Sequence, residues 1–345
     1  MMKQTLINLV EKRVIPDPLT RFGMRRMIGD RLQNEYANDS RGGRHAFLSH
    51  VTGGPIADHT DLANDQHYEV PDAFFQKVLG PRLKYSSALY ENAETTLGEA
   101  ENAMLKLTCE RAKLEDGMDV LELGCGWGSL TLYMAEHYPN AKIKAVSNPH
   151  SQREYIEAQA KARGFTNVTV LTANVATIAL DQSFDRVVSV EMFEHMRNYA
   201  ALTEKVKNWL RPDGLAFVHI FCHQQFGYVF EVQNANDWMA ENFFTGGIMP
   251  SFDIFENTSN ALDLQEKWWI AGTHYQRTLE DWRNLLDEKT ESVRALFMEY
   301  YSEDRAAANR RIQRWRMFFM ASAELFGYAD GTEWGVGHFL LRPTS

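Results

Sequence analysis

Cysteine is scarce: Cys109, Cys125 and Cys222 are the only three in 345 residues. They lie far apart, without the paired spacing of a metal site or the even framework of a disulfide-stapled secreted domain. No metal site is expected, and a reducing cytoplasm is the simplest compartment. Long apolar runs are missing too. No segment approaches the roughly 20 apolar residues that span a bilayer, and Glu11-Lys12-Arg13 breaks the N-terminal stretch that could have been a signal-peptide core. Neither a membrane span nor stable membrane association is expected. Positive charge is in deficit: 36 Lys and Arg stand against 46 Asp and Glu, a net charge of −10. Sequence-independent nucleic-acid binding rests on Lys and Arg neutralising phosphates, so no nucleic-acid partner is expected, and a cationic ligand suits the balance better than an anionic one. Internal repeats and low-complexity tracts are absent. What is present is the composition of an ordinary soluble globular protein, 44% hydrophobic and 24% charged, in a chain long enough for one large domain with insertions or for two modules.

The stretch with most chemical character is Val120-Leu121-Glu122-Leu123-Gly124-Cys125-Gly126-Trp127-Gly128. An apolar strand runs into a turn with glycines at alternate positions, followed by the helical pattern of 129–135. Glycine is needed where the backbone takes positive φ or lets a ligand touch the main chain, so the unit suggests a nucleotide-type cofactor site. The phosphate-binding alternatives fit poorly. No Lys and Ser/Thr pair closes the loop as in a Walker turn, and the spacing is G-x-G-x-G, not the dinucleotide G-x-G-x-x-G. That spacing after an acidic strand end resembles the first motif of the class I S-adenosylmethionine-dependent methyltransferases, whose cofactor carries a sulfonium and no phosphate.

In chain order, residues 1–75 read as an N-terminal helical cap, with Phe22, Met24, Met27, Ile28 and Leu32 forming an apolar face. Residues 76–222 read as the cofactor-binding core. A helix over 95–113 leads into the first strand. Strands at 142–146, 168–171, 184–190 and 215–221 then alternate with helices at 152–163 and 199–210, the last closed by the turn Arg211-Pro212-Asp213-Gly214. Such alternation builds an α/β, Rossmann-like, doubly wound sheet with its ligands at the carboxyl ends of the strands. Residues 223–334 read as an aromatic-rich helical insertion after strand five, and 335–345 as the last strand.

The strand ends are therefore the places to look. Ser147-Asn148 and, one turn on, Gln152 follow strand two; Ala173-Asn174-Val175 follow strand three. After strand four comes Glu191-Met192-Phe193-Glu194-His195-Met196. If this opens a helix, Glu191, Glu194 and His195 fall at i, i+3 and i+4 on one face. The bland alternative is an acidic helix start favoured by the macrodipole, with His195 packed in the core.

Together the Tyr85-Ser86 segment, the glycine loop, the hexapeptide at 191–196 and Trp334 resemble the cyclopropane-fatty-acid-synthase-like methyltransferases. Within them the chain looks most like the coclaurine N-methyltransferase branch, which makes benzylisoquinoline alkaloids. The branch resemblance is carried by Glu191 to Tyr199, Cys222-His223 with Phe226-Gly227-Tyr228, His274-Tyr275-x-Arg277-Thr278 with Trp282, and Glu324 to Tyr328 ahead of Glu333-Trp334. The resemblance implies a mostly parallel seven-stranded sheet and S-adenosylmethionine as cofactor. It places Tyr85, Ser86, Gly124, Gly126, Asn148, Gln152, Asn174 and Val175 around that cofactor, and Glu191, Glu194 and His195 against the methyl acceptor. Lipid-cyclopropanating members usually carry a cysteine in the segment that here reads Tyr85-Ser86-Ser87-Ala88, where it helps to hold a bicarbonate base, so serine counts against that activity. Asn174 departs from the aspartate expected at its strand end.

The expected reaction is methyl transfer to the amine of a small aromatic, tetrahydroisoquinoline-like alkaloid. An aliphatic ammonium cannot attack until a base takes its proton. His195, its pKa raised if Glu194 lies against it, is the expected acceptor, with Glu191 orienting the amine. Tyr68, His219, His223, Phe226, Tyr228 and Trp334 are the candidate substrate-binding residues. The helix from about 305 to 325, with Ile312, Trp315, Phe318, Phe319 and Leu325 on one side, reads as structural cover. A homodimer is possible on this reading. The alternatives are a lipid-modifying relative acting on unsaturated acyl chains, and a non-catalytic cofactor-binding scaffold whose acidic face is taken up by internal bonds.

Overall fold

The apolar runs around Leu121 and Val188 are buried on both faces, as central strands between two layers of helices must be. The computed structural model describes residues 2–57, 70–230, 238, 243, 246–258 and 261–344. Its main sheet has seven strands in the order β3-β2-β1-β4-β5-β9-β8. They are β1 (Asp119–Leu123), β2 (Lys142–Ser147), β3 (Val168–Thr172), β4 (Phe184–Val190), β5 (Leu210–His223), β8 (Leu262–Ile270) and β9 (Trp334–Pro343); two short strands, β6 (Tyr228–Val229) and β7 (Ile248–Met249), pair apart from it. The first five are parallel, and β9 runs antiparallel against both β5 and β8. Strand order reverses between β1 and β4, which opens the crevice at their carboxyl ends where such sheets bind ligands.

Two strands depart from the sequence pattern. Residues 211–214, which read as a turn, belong to an extended β5: Leu210 already pairs with Phe184, and the register shifts before Leu215 pairs with Arg186. β8 lies inside the stretch read as helical. It occupies the sheet edge and leaves Asp263, Glu266 and Lys267 partly or fully in solvent, so its polar residues hide the strand.

Among the described residues, the helices before β1 are α1 (Met2–Glu11), α2 (Asp17–Asp39), α3 (Gly43–His50), α4 (Asp72–Val78) and α5 (Leu97–Arg111), the last with a full capping box between Thr96 and Glu99. The apolar face expected on α2 is only partly buried. Ile28 is enclosed, but Phe22 and Met27 are 64% and 56% exposed. Ion pairs dock the helix instead: Arg21 and Arg25 reach Glu324, Arg21 also reaches Glu280, and Asp17 reaches the buried Arg316. Beyond β8 come the helices α10 (Gly272–Glu288), α11 (Thr290–Tyr300) and α12 (Arg305–Phe326), with α6 (Ser129–His137), α7 (His150–Arg163), α8 (Tyr199–Trp209) and α9 (Ile254–Thr258) before them. Trp282, Phe297, Trp315 and Phe319 are sealed between these helices and α4. Full burial of each large side chain contributes roughly 1.5–3 kcal/mol. Side chains of α4, α10 and α12 reach the carboxyl ends of the strands. Among the described residues, no helix is long and apolar enough to cross a membrane.

Candidate active site

The glycine loop after β1 has the backbone its spacing demands. Gly124 and Gly128 sit at φ +76°, and a Cβ at either would lie 2.6 Å or less from Met192 or Ile156. The amides of Gly124 and Cys125 both donate to Val146 O, so the loop is tied to β2. Gly126, at φ +52°, differs: a Cβ there would meet nothing within 4 Å, which leaves its face open. The loop borders a cavity of about 280 Å³, and all eight residues expected around the cofactor, Tyr85, Ser86, Gly124, Gly126, Asn148, Gln152, Asn174 and Val175, line it. At the end of β2 the buried Ser147 donates to Gln152 Oε1 at 2.5 Å. No Lys or Arg occurs between residues 120 and 131, so the loop offers a phosphate no countercharge. Glu122, under the loop, accepts from Thr131 at 2.5 Å; burial pushes its pKa up to about 8, against that bond.

The other half of the cavity is apolar, walled by Phe75, Phe221, Met249, Trp282, Phe318 and Phe326. Into it face Glu191 and His195. Glu191 lies in the left-handed region at φ +47°. A non-glycine residue held there costs on the order of 1–3 kcal/mol, and such residues cluster at functional sites. Its buried carboxylate collects donors: Tyr275 Oη gives to Oε2 at 2.7 Å, and Ser87 N and His219 Nε2 approach Oε1 at 3.0 and 3.3 Å. Burial pushes the Glu191 pKa up, opposed by Lys84, Tyr275 and Ser87. Lys84 is itself buried and donates to Ser86 Oγ at 2.5 Å and to Ser87 O at 2.7 Å; desolvation lowers its pKa to about 8, against the pull of Glu191 and Glu101.

Several expectations need correction. Residues 191–196 do not open an α-helix; only Phe193–His195 form a short 3₁₀ turn. Glu194 therefore does not share the face of Glu191 and is not among the residues lining the cavity. It is fully buried, its Oε1 accepts from Phe221 N at 2.7 Å, and burial together with the nearby Glu191 pushes its pKa well up. The pKa of His195 moves down, not up: desolvation lowers it to about 4, with Glu191 opposing.

Of the six candidate substrate residues, none of the five described lines the cavity. His219 is buried behind Glu191. His223 stacks on Phe226, and its Nδ1 accepts from the amides of Gln225 and Phe226. Trp334 Nε1 donates to Tyr228 Oη at 3.0 Å under the Arg31 guanidinium. These are packing contacts around the carboxyl end of β5 and the start of β9. Tyr68 lies outside the described residues. Phe318 and Leu325, read as cover, do border the cavity together with Ser322. Sequence reasoning gives Lys84 no role, uses Ser87 only as part of the segment that argues against cyclopropanation, and names Tyr275 as a motif residue without a role. Their only signal was a place next to Tyr85-Ser86 and in the 274–282 motif.

With this geometry in view, likeness to known proteins becomes informative. Residues 58–330 match the family described as mycolic acid cyclopropane synthetase. The chain is 38% identical over 342 residues to (S)-coclaurine N-methyltransferase of Thalictrum flavum subsp. glaucum, covering 98% of this chain and 95% of that one. It is 30% identical over 274 residues to cyclopropane-fatty-acyl-phospholipid synthase of Escherichia coli K12, covering 76% and 69%. The crystal structure of coclaurine N-methyltransferase bound to N-methylheliamine and S-adenosylhomocysteine superposes with a TM-score of 0.95 at 34% identity, over 99% of this chain and 100% of that one. The chain thus belongs to the cyclopropane-synthetase family of S-adenosylmethionine-dependent methyltransferases, on its coclaurine N-methyltransferase-like branch.

Proposed function

We propose that the chain methylates the amine of a small aromatic, tetrahydroisoquinoline-like substrate, using S-adenosylmethionine. The observation that carries the reading is the union in one cavity of an uncharged glycine loop with a buried carboxylate, Glu191, set in an aromatic wall. The open face of Gly126, the neutral Asn148 and Gln152 after β2, and a glycine loop without Lys or Arg fit this cofactor. Tyr85, Ser86, Gly124, Gly126, Asn148, Gln152, Asn174 and Val175 would hold it, and it supplies an electrophilic methyl group.

The chain's own residues then have three tasks. The aromatic wall takes the flat rings of the substrate and excludes water. Glu191 meets the ammonium and holds its nitrogen in place. Glu191, and not His195, takes the proton. An alkylammonium has a pKa near that of lysine, about 10.4; against an imidazole of about 4, transfer runs uphill by roughly 9 kcal/mol at about 1.4 kcal/mol per pH unit. Transfer to Glu191 instead removes two opposite charges from a buried site, which low dielectric favours. His195, neutral, orients the amine as an acceptor.

The test is methyl transfer from labelled cofactor to two pools, one of tetrahydroisoquinolines and phenethylamines, the other of unsaturated phospholipid with bicarbonate. Label on the amine, lost in Glu191→Gln with cofactor binding retained, supports the reading. Label on lipid alone overturns it in favour of acyl-chain chemistry.

A further inference from the structure

Behind Glu191 runs a line of side chains drawn from four separate elements and reaching the far end of α5. Arg111 Nη1 lies 2.8 Å from His338 Nδ1 on β9; His338 Nε2 lies 2.9 Å from His219 Nδ1 on β5; His219 Nε2 lies 3.3 Å from Glu191 Oε1 at the end of β4. The two histidines pair directly across the sheet, and neither has any exposed surface. Arg111 is held over Trp268, 4.8 Å from its ring centre.

A guanidinium only donates. Arg111 therefore fixes His338 Nδ1 as an acceptor, leaving the proton of the neutral ring on Nε2. That N–H donates to His219 Nδ1, so the proton of His219 also sits on Nε2, pointing at Glu191. One permanent donor at the helix end sets two tautomers and aims the whole line at the carboxylate. A proton added to either imidazole would set N–H against N–H, so both rings stay neutral; burial, with Lys84 and Arg111 nearby, acts in the same direction.

We propose that Arg111 and His338 are positioning residues, which lock His219 as an Nε2–H donor and thereby keep Glu191 ionised and oriented for the amine. The proposal rests on the reading that Glu191 meets the amine. Besides His219, the ionisable groups facing Glu191 are Lys84 from the loop before Tyr85, His195 and Glu194 from the 3₁₀ turn and Tyr275 from α10.

The experiment has a structural arm and a kinetic arm. Long-range ¹⁵N–¹H spectra of the labelled protein, assigned through His219→Gln and His338→Gln, should show both rings as Nε2–H tautomers. They should not titrate across about pH 6 to 8, where an ordinary histidine does. Arg111→Met should let the tautomers mix, lower kcat about 10-fold and move the acid limb of kcat/KM to higher pH, with the KM for cofactor unchanged. Arg111→Lys, which still donates, should restore both readouts. An Nδ1–H tautomer or an imidazolium at either position in the native protein overturns the proposal, and this holds even if Arg111→Met fails to fold. So does an Arg111→Met protein that methylates amine with an unchanged pH profile. Expected tautomers without any amine methylation would instead leave the hydrogen-bond line standing and sink the functional reading.

Discussion

Removing one oxygen, with Tyr275→Phe, isolates what holds Glu191 ionised. The ring stays packed, stacked on Phe326 with centroids 4.4 Å apart. What is lost is the 2.7 Å bond from Tyr275 Oη to Glu191 Oε2. A hydrogen bond to a charged group contributes about 1.5–3 kcal/mol, and here it favours the ionised carboxylate over the acid. At about 1.4 kcal/mol per pH unit, the Glu191 pKa should climb by about one to two units beyond the rise that burial already causes. The sign follows directly: a carboxylate that loses a donor is harder to ionise. The acid limb of kcat/KM for amine methylation should move to higher pH by that amount, while activity above the limb stays within a few-fold. The assay is labelled methyl transfer to a tetrahydroisoquinoline across pH at saturating cofactor, with calorimetric binding of S-adenosylhomocysteine as the control for an intact cavity. An acid limb that stays in place while activity falls equally at every pH would refute the reasoning, since Tyr275 would then act on the substrate or the packing and not through Glu191.

Gly124→Ala forces a methyl to within 2.6 Å of Met192 at positive φ, so it should lower stability by about 2–5 kcal/mol, summing backbone and overpacking costs. Gly126→Ala, whose methyl meets no protein atom but which keeps the backbone cost of φ +52°, should lose cofactor affinity at least 10-fold with a smaller change in Tm than Gly124→Ala. Buried His223 is held neutral, its pKa lowered by desolvation to about 4. Between that value and the ordinary 6.5 or so the unfolded chain binds more protons, so stability should rise as pH rises through this window, and be lost as pH falls, by up to about 1.4 kcal/mol per unit from this residue. Urea midpoints at pH values within and above the window should converge in His223→Gln relative to the parent. Asp17, its pKa lowered chiefly by the hydrogen bond from Arg316, joins α2 to α12. Asp17→Asn should cost about 1–2 kcal/mol at neutral pH by denaturant titration, a difference that vanishes as pH falls through the lowered pKa of Asp17.

What the sequence disclosed about this site follows the range over which each cause acts. The glycine loop was legible because positive φ at Gly124 and Gly128 is a local requirement that only glycine meets cheaply, and Gly124, Gly126, Asn148, Gln152, Asn174 and Val175 follow β1, β2 and β3, where topology collects them, whereas Tyr85 and Ser86 reach the same pocket from the loop before α5. Glu194 was misplaced because the i, i+3, i+4 rule presumes an α-helix. The left-handed Glu191 breaks the helix before it can start, and the following 3₁₀ turn gives Glu194 to the amide of Phe221. Aromatic density carried still less. Phe226, Tyr228 and Trp334 pack around the end of β5 and the start of β9 while Phe318 and Trp282 border the cavity, and composition is identical in the two cases. Nor could any spacing rule order the bases, since the pKa of His195 is set by enclosure in walls contributed from across the chain, and that enclosure makes it the weaker acceptor. Reading the acceptor as Glu191 thus depends on burial, a property that exists only after the chain has folded.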